Sequence, residues 1–418
     1  MSLLPPLLSY QRQALTMENV VLSSIVRDVG TPVYVYSRRR ILDNFHSFND
    51  AFHPQKRLVL FAVKANSTGA VLSVLAKAGA GADIVSVGEL FRALRAGIPA
   101  GKIVFSGVGK RQDEIKAALD AGILLFNVES VEELYAIEAV ASALRKTAPV
   151  SIRVNPDVDA ETHDHITTGK KENKFGVPIG KALAVCRLAA RFPHINLLGI
   201  QAHIGSQIIR VDPYVKTLKL MLEITDRLVS EGMELCYLDI GGGLGVRYRD
   251  EKPPEPKHLA QAMKDMLGDR PLTLLMEPGR YLVADAGLLL TQVLYRKDVG
   301  GKHFIVVDAA MNDLARPALY DAYHSIYPLA RKKGRNVTAD IVGPICETGD
   351  YLARRRKMPL PDQQEYLAVA TAGAYGFVMG SQYNSRPRPP EVMVHGDKWT
   401  VVRDRETLND LVRGEHIP

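Results

Sequence analysis

Lys64 closes an apolar run in Leu58-Val59-Leu60-Phe61-Ala62-Val63-Lys64-Ala65-Asn66 and is followed by small and polar residues. Such a run reads as a buried strand with the lysine emerging at its carboxyl end. An amine leaving an apolar wall is poorly solvated, which lowers its pKa and suits it to Schiff-base chemistry. A lysine that snorkels past the strand to water leaves the same letters. Further segments bear on that choice. Gly241-Gly242-Gly243-Leu244-Gly245, directly after another apolar run, offers unhindered backbone N–H groups to an anion, although a tight turn reads the same way. Ser206 and the backbone around Gly205 add donors. His203 ends a buried run beside glycine and serine, either as a satisfied core histidine or as an imidazole stacked on a flat ring. Glu277 follows Leu274-Leu275-Met276 and needs a positive partner, because an unpaired buried carboxylate is strongly destabilising. Arg280 is one candidate and a protonated ring nitrogen another.

The elements that position these residues follow from the spacing of apolar runs. From about residue 57, short runs alternate with amphipathic stretches. The predicted strands are Leu58–Val63, Ala82–Ser86, Ile103–Phe105, Ile123–Asn127, Val150–Val154, Leu197–His203, Leu235–Ile240 and Leu272–Met276. Helical patterns between them include Gly88–Ala96, Arg111–Ala121, Ser130–Leu144, Pro213–Ser230 and Lys257–Leu267. Eight strands alternating with helices predict an α/β fold, a (β/α)8 TIM barrel. An open doubly wound sheet can be cut from the same alternation, but no Gly-x-Gly-x-x-Gly turn follows the first strand. In a barrel, chemistry collects where strands end. Lys64, Asp83 with Ser86 and Glu89, Asn127 with Glu129, Arg153, His203, the glycine run and Glu277 all fall there. Lysine, phosphate cradle, stacking histidine and ring-facing carboxylate together describe a site for pyridoxal 5′-phosphate.

Beyond Arg280 the alternation stops. Runs at Gly287–Leu294, His303–Asp308, Glu365–Ala370, Glu391–Val394 and Thr400–Val402 predict a mainly β second domain. Pro32-Val33-Tyr34-Val35-Tyr36 precedes the barrel and is expected to pair with these later strands. The expected organisation is a cofactor-binding barrel over 38–283 and a discontinuous β domain of 10–37 plus 284–418. The connection Asp157–Pro178 is long enough to read as a lid or as an idle surface excursion.

With 418 residues, 46% hydrophobic and 24% charged, the chain reads as a globular protein large enough for both domains. No apolar run approaches the ~20 residues of a membrane span. Met1–Leu8 has no basic start and two prolines, which predicts a frayed terminus rather than a signal peptide. Three cysteines give no disulfide framework and fit a reducing cytoplasm, with Cys186 and Cys236 expected to pack and Cys346 in a polar loop. The formal charge is +7, and Arg38-Arg39-Arg40, Arg331-Lys332-Lys333 and Arg354-Arg355-Arg356-Lys357 are scattered without interleaved aromatics. They read as solvated faces, which argues against a nucleic-acid partner.

Seven motifs stand out: Phe61-Ala62-Val63-Lys64-Ala65-Asn66, His203-Ile204-Gly205-Ser206-Gln207, Gly241-Gly242-Gly243-Leu244-Gly245, Glu277-Pro278-Gly279-Arg280, Ala315-Arg316-Pro317-Ala318-Leu319-Tyr320, Cys346-Glu347-Thr348-Gly349-Asp350 and Gly373-Ala374-Tyr375-Gly376. Together they resemble the diaminopimelate decarboxylase family, in the alanine-racemase-like barrel class of pyridoxal-phosphate enzymes. The resemblance runs from about Thr31 to Val402. Single motifs are shared with ornithine, arginine and carboxynorspermidine decarboxylases; the set is specific. The resemblance implies that Lys64, Asp83, His203, Ser206, Gly242, Gly243, Glu277, Pro278, Gly279, Arg280 and Tyr375 hold the cofactor. It also implies that Arg280, Arg316, Tyr320, Glu347 and Tyr375 bind meso-diaminopimelate, and that Cys346 donates a proton to Cα. A homodimer with shared sites and no membrane partner follows by the same resemblance. Val87 stands where the family usually has glycine, which predicts tighter packing near the second strand, and His163 receives no role.

Overall fold

A computed structural model describes residues 4–6, 8–159, 174–332, 334 and 336–418. The chain divides into two compact units. One comprises Leu42–Val246 and Glu251–Leu282; the other holds the chain up to Ile41, Arg247–Asp250 and Val283–Pro418.

In the first unit the apolar runs become strands Arg57–Ala62, Gly81–Ile84, Ile103–Phe105, Leu125–Val128, Ala148–Asn155, Ile195–Gln201, Tyr237–Asp239 and Thr273–Met276. Each pairs in parallel with the next. The eighth returns to the first through Leu274–Arg57 and Met276–Val59, so the sheet closes into a (β/α)8 barrel and the open-sheet alternative falls. Leu60, Val104, Leu125 and Leu275 form one buried cluster. Strands one and four are not neighbours, so Leu60 and Leu125 meet only through the barrel interior. Burying each such side chain contributes about 1.5–3 kcal/mol.

Helices form where apolar residues recur every three or four positions. Over Asp212–Ser230 the buried set includes Tyr214, Leu218, Met221, Leu222, Thr225 and Leu228, with Pro213 opening the first turn. Ser86 and Ser130 cap the helices Val87–Arg95 and Val131–Leu144 by accepting from the N–H groups of Glu89 and Glu133. Each cap stabilises by about 1 kcal/mol and fixes where the rim loop ends.

The second unit carries a sheet ordered Tyr351–Pro359, Asn336–Val342, Lys302–Val307, Gly287–Val299, Val33–Ser37, Glu391–His395 and Lys398–Arg403. Tyr366–Val369 and Ile326–Pro328 attach to it. Val33–Ser37 pairs antiparallel with Gly287–Val299 and parallel with Glu391–His395, as its alternation predicts. Val33, Val35, Leu288, Leu290, Val392 and Val394 share one buried cluster, the period-two face of three adjacent strands.

Some expectations are corrected. The amino-terminal stretch is not frayed as far as Leu8, which is buried and opens a strand paired with Ala14–Met17. Cys236 does not pack; it is exposed just before the seventh barrel strand. The run Arg354–Lys357 is the solvated face expected, with Arg354, Arg355 and Lys357 exposed, but it belongs to a strand that the spacing of apolar runs did not predict. Val87 tightens nothing, since it opens its helix 38% exposed. His163 and most of the anticipated lid lie outside the described residues. No helix among the described residues is long and apolar enough to cross a membrane.

Candidate active site

Barrel closure makes strands seven, eight and one neighbours, so the glycine run, Glu277–Arg280 and Lys64 converge at one end although they are distant in sequence. The contacts are close. A Cβ on Gly242 would stand 2.0 Å from the Glu277 carbonyl oxygen, and one on Gly243, at φ +99°, would stand 2.3 Å from that of Gly205. Only glycine lets these backbones approach; of the run's glycine N–H groups, those of Gly241, Gly242 and Gly245 already have acceptors, which leaves that of Gly243 for an anion. Tyr214 braces the turn, its hydroxyl donating to the Gly242 carbonyl at 2.9 Å. The Gly242 N–H donates to His203 Nδ1 at 3.1 Å. Burial, then the positive charges of Arg153 and Lys64, hold the His203 pKa well below its ordinary value. The ring is therefore neutral, with its proton on Nε2, and suits stacking on a flat partner.

Lys64 stands in a 3-10 turn, Val63–Ala65, after the first strand. Its amine does not face a bare apolar wall as the sequence suggested: Nζ lies 2.5 Å from Oδ2 of fully buried Asp83, on the second strand. The other oxygen, Asp83 Oδ1, is buried without a hydrogen-bond donor among the described residues. Glu89 caps the Val85 N–H at 2.8 Å, and burial pushes its carboxyl up to about 7.

Glu277 is buried, and its partners are not Arg280. Asn127 Nδ2 donates to Oε1 at 3.1 Å and Gln201 Nε2 to Oε2 at 3.3 Å. Asn127 is fixed in turn by Ser106 Oγ at 3.0 Å and Ser151 Oγ at 2.5 Å. Asp239 completes the group. Its Oδ1 accepts from the Gly241 N–H at 2.9 Å, while Oδ2 has no N–H donor. Burial raises both carboxyls, Asp239 to about 6 and Glu277 well above its ordinary value, with the Asp239 charge adding to the latter. Arg280 instead donates to Ser206 Oγ at 3.0 and 3.3 Å. Of the two partners the sequence allowed for Glu277, a protonated ring nitrogen is the one that fits. Alongside, buried Arg153 and Glu129 pair at 2.7 Å.

The second unit holds the remaining expected residues. Arg316 opens the helix Arg316–Tyr320 and is buried; half-buried Tyr320 ends it. Cys346 and Glu347 lie exposed in a loop, where the Cys346 N–H donates to Asn384 Oδ1 at 2.8 Å and Tyr383 Oη to Glu347 Oε2 at 3.4 Å. Tyr375 is held at φ +55°, a left-handed conformation uncommon for a residue with a side chain.

Asp239, Gln201, Tyr214, Tyr248 and His324 were not anticipated. Gln201 and Asp239 carried a usable signal, a polar residue inside a buried strand. The other three had none in their local sequence.

The glycine cradle and the buried carboxyls of Glu277 and Asp239 fit a phosphorylated, nitrogen-bearing ring. Residues 38–284 match the family model described as pyridoxal-dependent decarboxylase, pyridoxal binding domain. The chain is 50% identical over 409 residues to the diaminopimelate decarboxylase of Pseudomonas aeruginosa, covering 98% of each chain. A crystal structure of diaminopimelate decarboxylase from M. jannaschii in co-complex with L-lysine superposes with a TM-score of 0.94 at 35% identity, over 100% of this chain and 99% of that one. The Helicobacter pylori diaminopimelate decarboxylase complexed with L-lysine gives 0.91 at 42% identity, over 94% and 98%. On these grounds the chain belongs to the diaminopimelate decarboxylase family of pyridoxal-dependent decarboxylases.

Proposed function

We infer that this enzyme decarboxylates meso-2,6-diaminopimelate to L-lysine and carbon dioxide, the last step of lysine biosynthesis by that route, with pyridoxal 5′-phosphate as cofactor. The observation that carries the reading is the convergence of Lys64, the Gly241–Gly243 cradle and buried Glu277 on three adjacent strand ends. When bound, the cofactor supplies an electron-accepting ring that stabilises the charge left at Cα as carbon dioxide departs.

The residue roles are proposals. Within the 38–283 domain, Lys64 would hold the cofactor covalently, His203 would stack on its ring, and Asp83 would orient the lysine amine. Ser206, Gly242, Gly243 and the turn Glu277-Pro278-Gly279-Arg280 would hold ring and phosphate, a task to which Tyr375 is also assigned. Glu277, able to share a proton, keeps the ring nitrogen positive.

The substrate has an amino-acid group at each end, so its distal end needs a cationic fork and a carboxylate. Arg280, Arg316 and Tyr320 are assigned to the distal carboxylate, Glu347 to the distal amine, and Tyr375 to substrate contact. Cys346 is assigned to deliver the proton that replaces the lost carboxylate at Cα. A homodimer in which Cys346 and Glu347 serve the partner subunit's site, and a cytoplasmic location suited to three free cysteines, complete the proposal.

Ornithine has no distal carboxylate and makes no use of Arg316. Product analysis with meso-diaminopimelate, ornithine, arginine and carboxynorspermidine tests the reading. Lysine from the first alone supports it; preferential turnover of ornithine or arginine overturns it.

A further inference from the structure

We propose that His324 is a positioning residue that holds Arg316 ready for the substrate's distal carboxylate, through a neutral imidazole that leaves the guanidinium charge intact. The proposal rests on the assignment of Arg316 made above. His324 is fully buried, between two hydrogen bonds that fix its protonation. Its Nδ1 lies 2.9 Å from the Ala370 carbonyl oxygen, which can only accept, so Nδ1 carries the hydrogen. Its Nε2 lies 2.9 Å from Arg316 Nη1, and a guanidinium can only donate, so Nε2 is bare. Both bonds are satisfied together by the neutral Nδ1–H tautomer. A carboxylate at this place would fix the arginine equally well but would spend its charge on the protein rather than on an incoming anion.

The surroundings build the same arrangement from the backbone up. Ile326 pairs with Val369, and the Ala370 N–H donates to the Ser325 carbonyl at 2.8 Å. That register brings the Ala370 carbonyl to His324. From outside, Arg356 Nη2 donates to the His324 carbonyl at 2.8 Å. Tyr248 forms a shelf: the Arg316 guanidinium carbon lies 4.5 Å from its ring centroid. The Tyr248 and His324 rings meet edge-on at 5.4 Å and 81°. Arg316 is thus held along one edge and one face, so little side-chain freedom is left to lose when substrate binds.

The test compares two variants of the holoenzyme that differ in reach. Asparagine at 324 keeps a donor for Ala370 but is too short to meet Arg316; glutamine places an acceptor near the position of Nε2. In His324→Asn, KM for meso-diaminopimelate should rise about tenfold while kcat stays within about threefold. In His324→Gln, KM should return to within about threefold of the parent. Affinity for 1,5-diaminopentane, which lacks the distal carboxylate, should be the same in all three, read from the absorbance change of the bound cofactor. A parental KM in His324→Asn, alongside a raised KM in Arg316→Ala, overturns the proposal and leaves the role of Arg316 standing. Equal losses in the two 324 variants, or affinity for the diamine falling in step, show a general packing role and overturn it too. If Arg316→Ala itself leaves KM unchanged, the distal-site assignment fails and the proposal with it.

Discussion

Asn127, on the fourth barrel strand, donates to Glu277, at the end of the eighth, across 3.1 Å. In an eight-stranded barrel those strands face each other, so the bond crosses the interior beneath the rim. It hangs an ionisable group in the middle of the molecule, where the charge of Asp239 bears on it as well. The arrangement is tolerable only while a proton or another positive group is present.

Stability of the cofactor-free protein should therefore depend on pH through this pair. The folded-state value of Asp239 is raised to about 6 and that of Glu277 is raised well above its ordinary one, so the native state binds more protons than the unfolded chain. Stability from the pair is complete below about pH 4 and is lost as pH rises through 6. Asp239→Asn cannot ionise there. Its melting temperature relative to the parent should climb between about pH 4 and 7, by the equivalent of roughly 2 kcal/mol. A difference flat in pH would show that burial does not raise Asp239.

Gly242→Ala should weaken cofactor binding more than about tenfold, because the new methyl meets the rigid Glu277 carbonyl and moves the cradle. Equilibrium dialysis against pyridoxal phosphate measures it. Unchanged affinity would take the glycine turn out of the phosphate site.

Removing Arg153 alone leaves Glu129 buried without its cation; the two side chains are 7% and 2% exposed. Arg153→Met should destabilise the barrel by about 3 kcal/mol, and adding Glu129→Gln should restore part of that. Thermal melts of the single and double variants decide. Purely additive losses would mean the pair is not coupled.

What the sequence disclosed and what it hid divide along physical lines. Buried parallel strands are continuous apolar runs, so all eight were legible to within a few residues, and with them the rim. Partners across the barrel were not. Nothing near Lys64 points to Asp83 as its ion partner, and nothing near Glu277 points to Asn127, because closure alone brings those strand ends together. The strand Tyr351–Pro359 was hidden by its own position. It lies at the sheet edge, where exposed arginines protect against further pairing, and its basic run imitates a loop. His324 meets Ala370 only through strand register, a relation that no local window contains.

Cys346→Ala should lower kcat by about a hundredfold, the contribution of a positioned proton donor, and leave the cofactor bound. Stopped-flow turnover with an absorbance spectrum of the resting enzyme separates the two effects. Loss of cofactor from this variant would make the cysteine structural.

Lys64→Ala, compared with the parent after saturation with pyridoxal phosphate, is the decisive measurement. The parent should show the visible absorbance of a lysine-bound cofactor and convert meso-diaminopimelate to lysine; the variant should show neither. Parental turnover in the variant, or a parent that stays colourless, would contradict the mechanism.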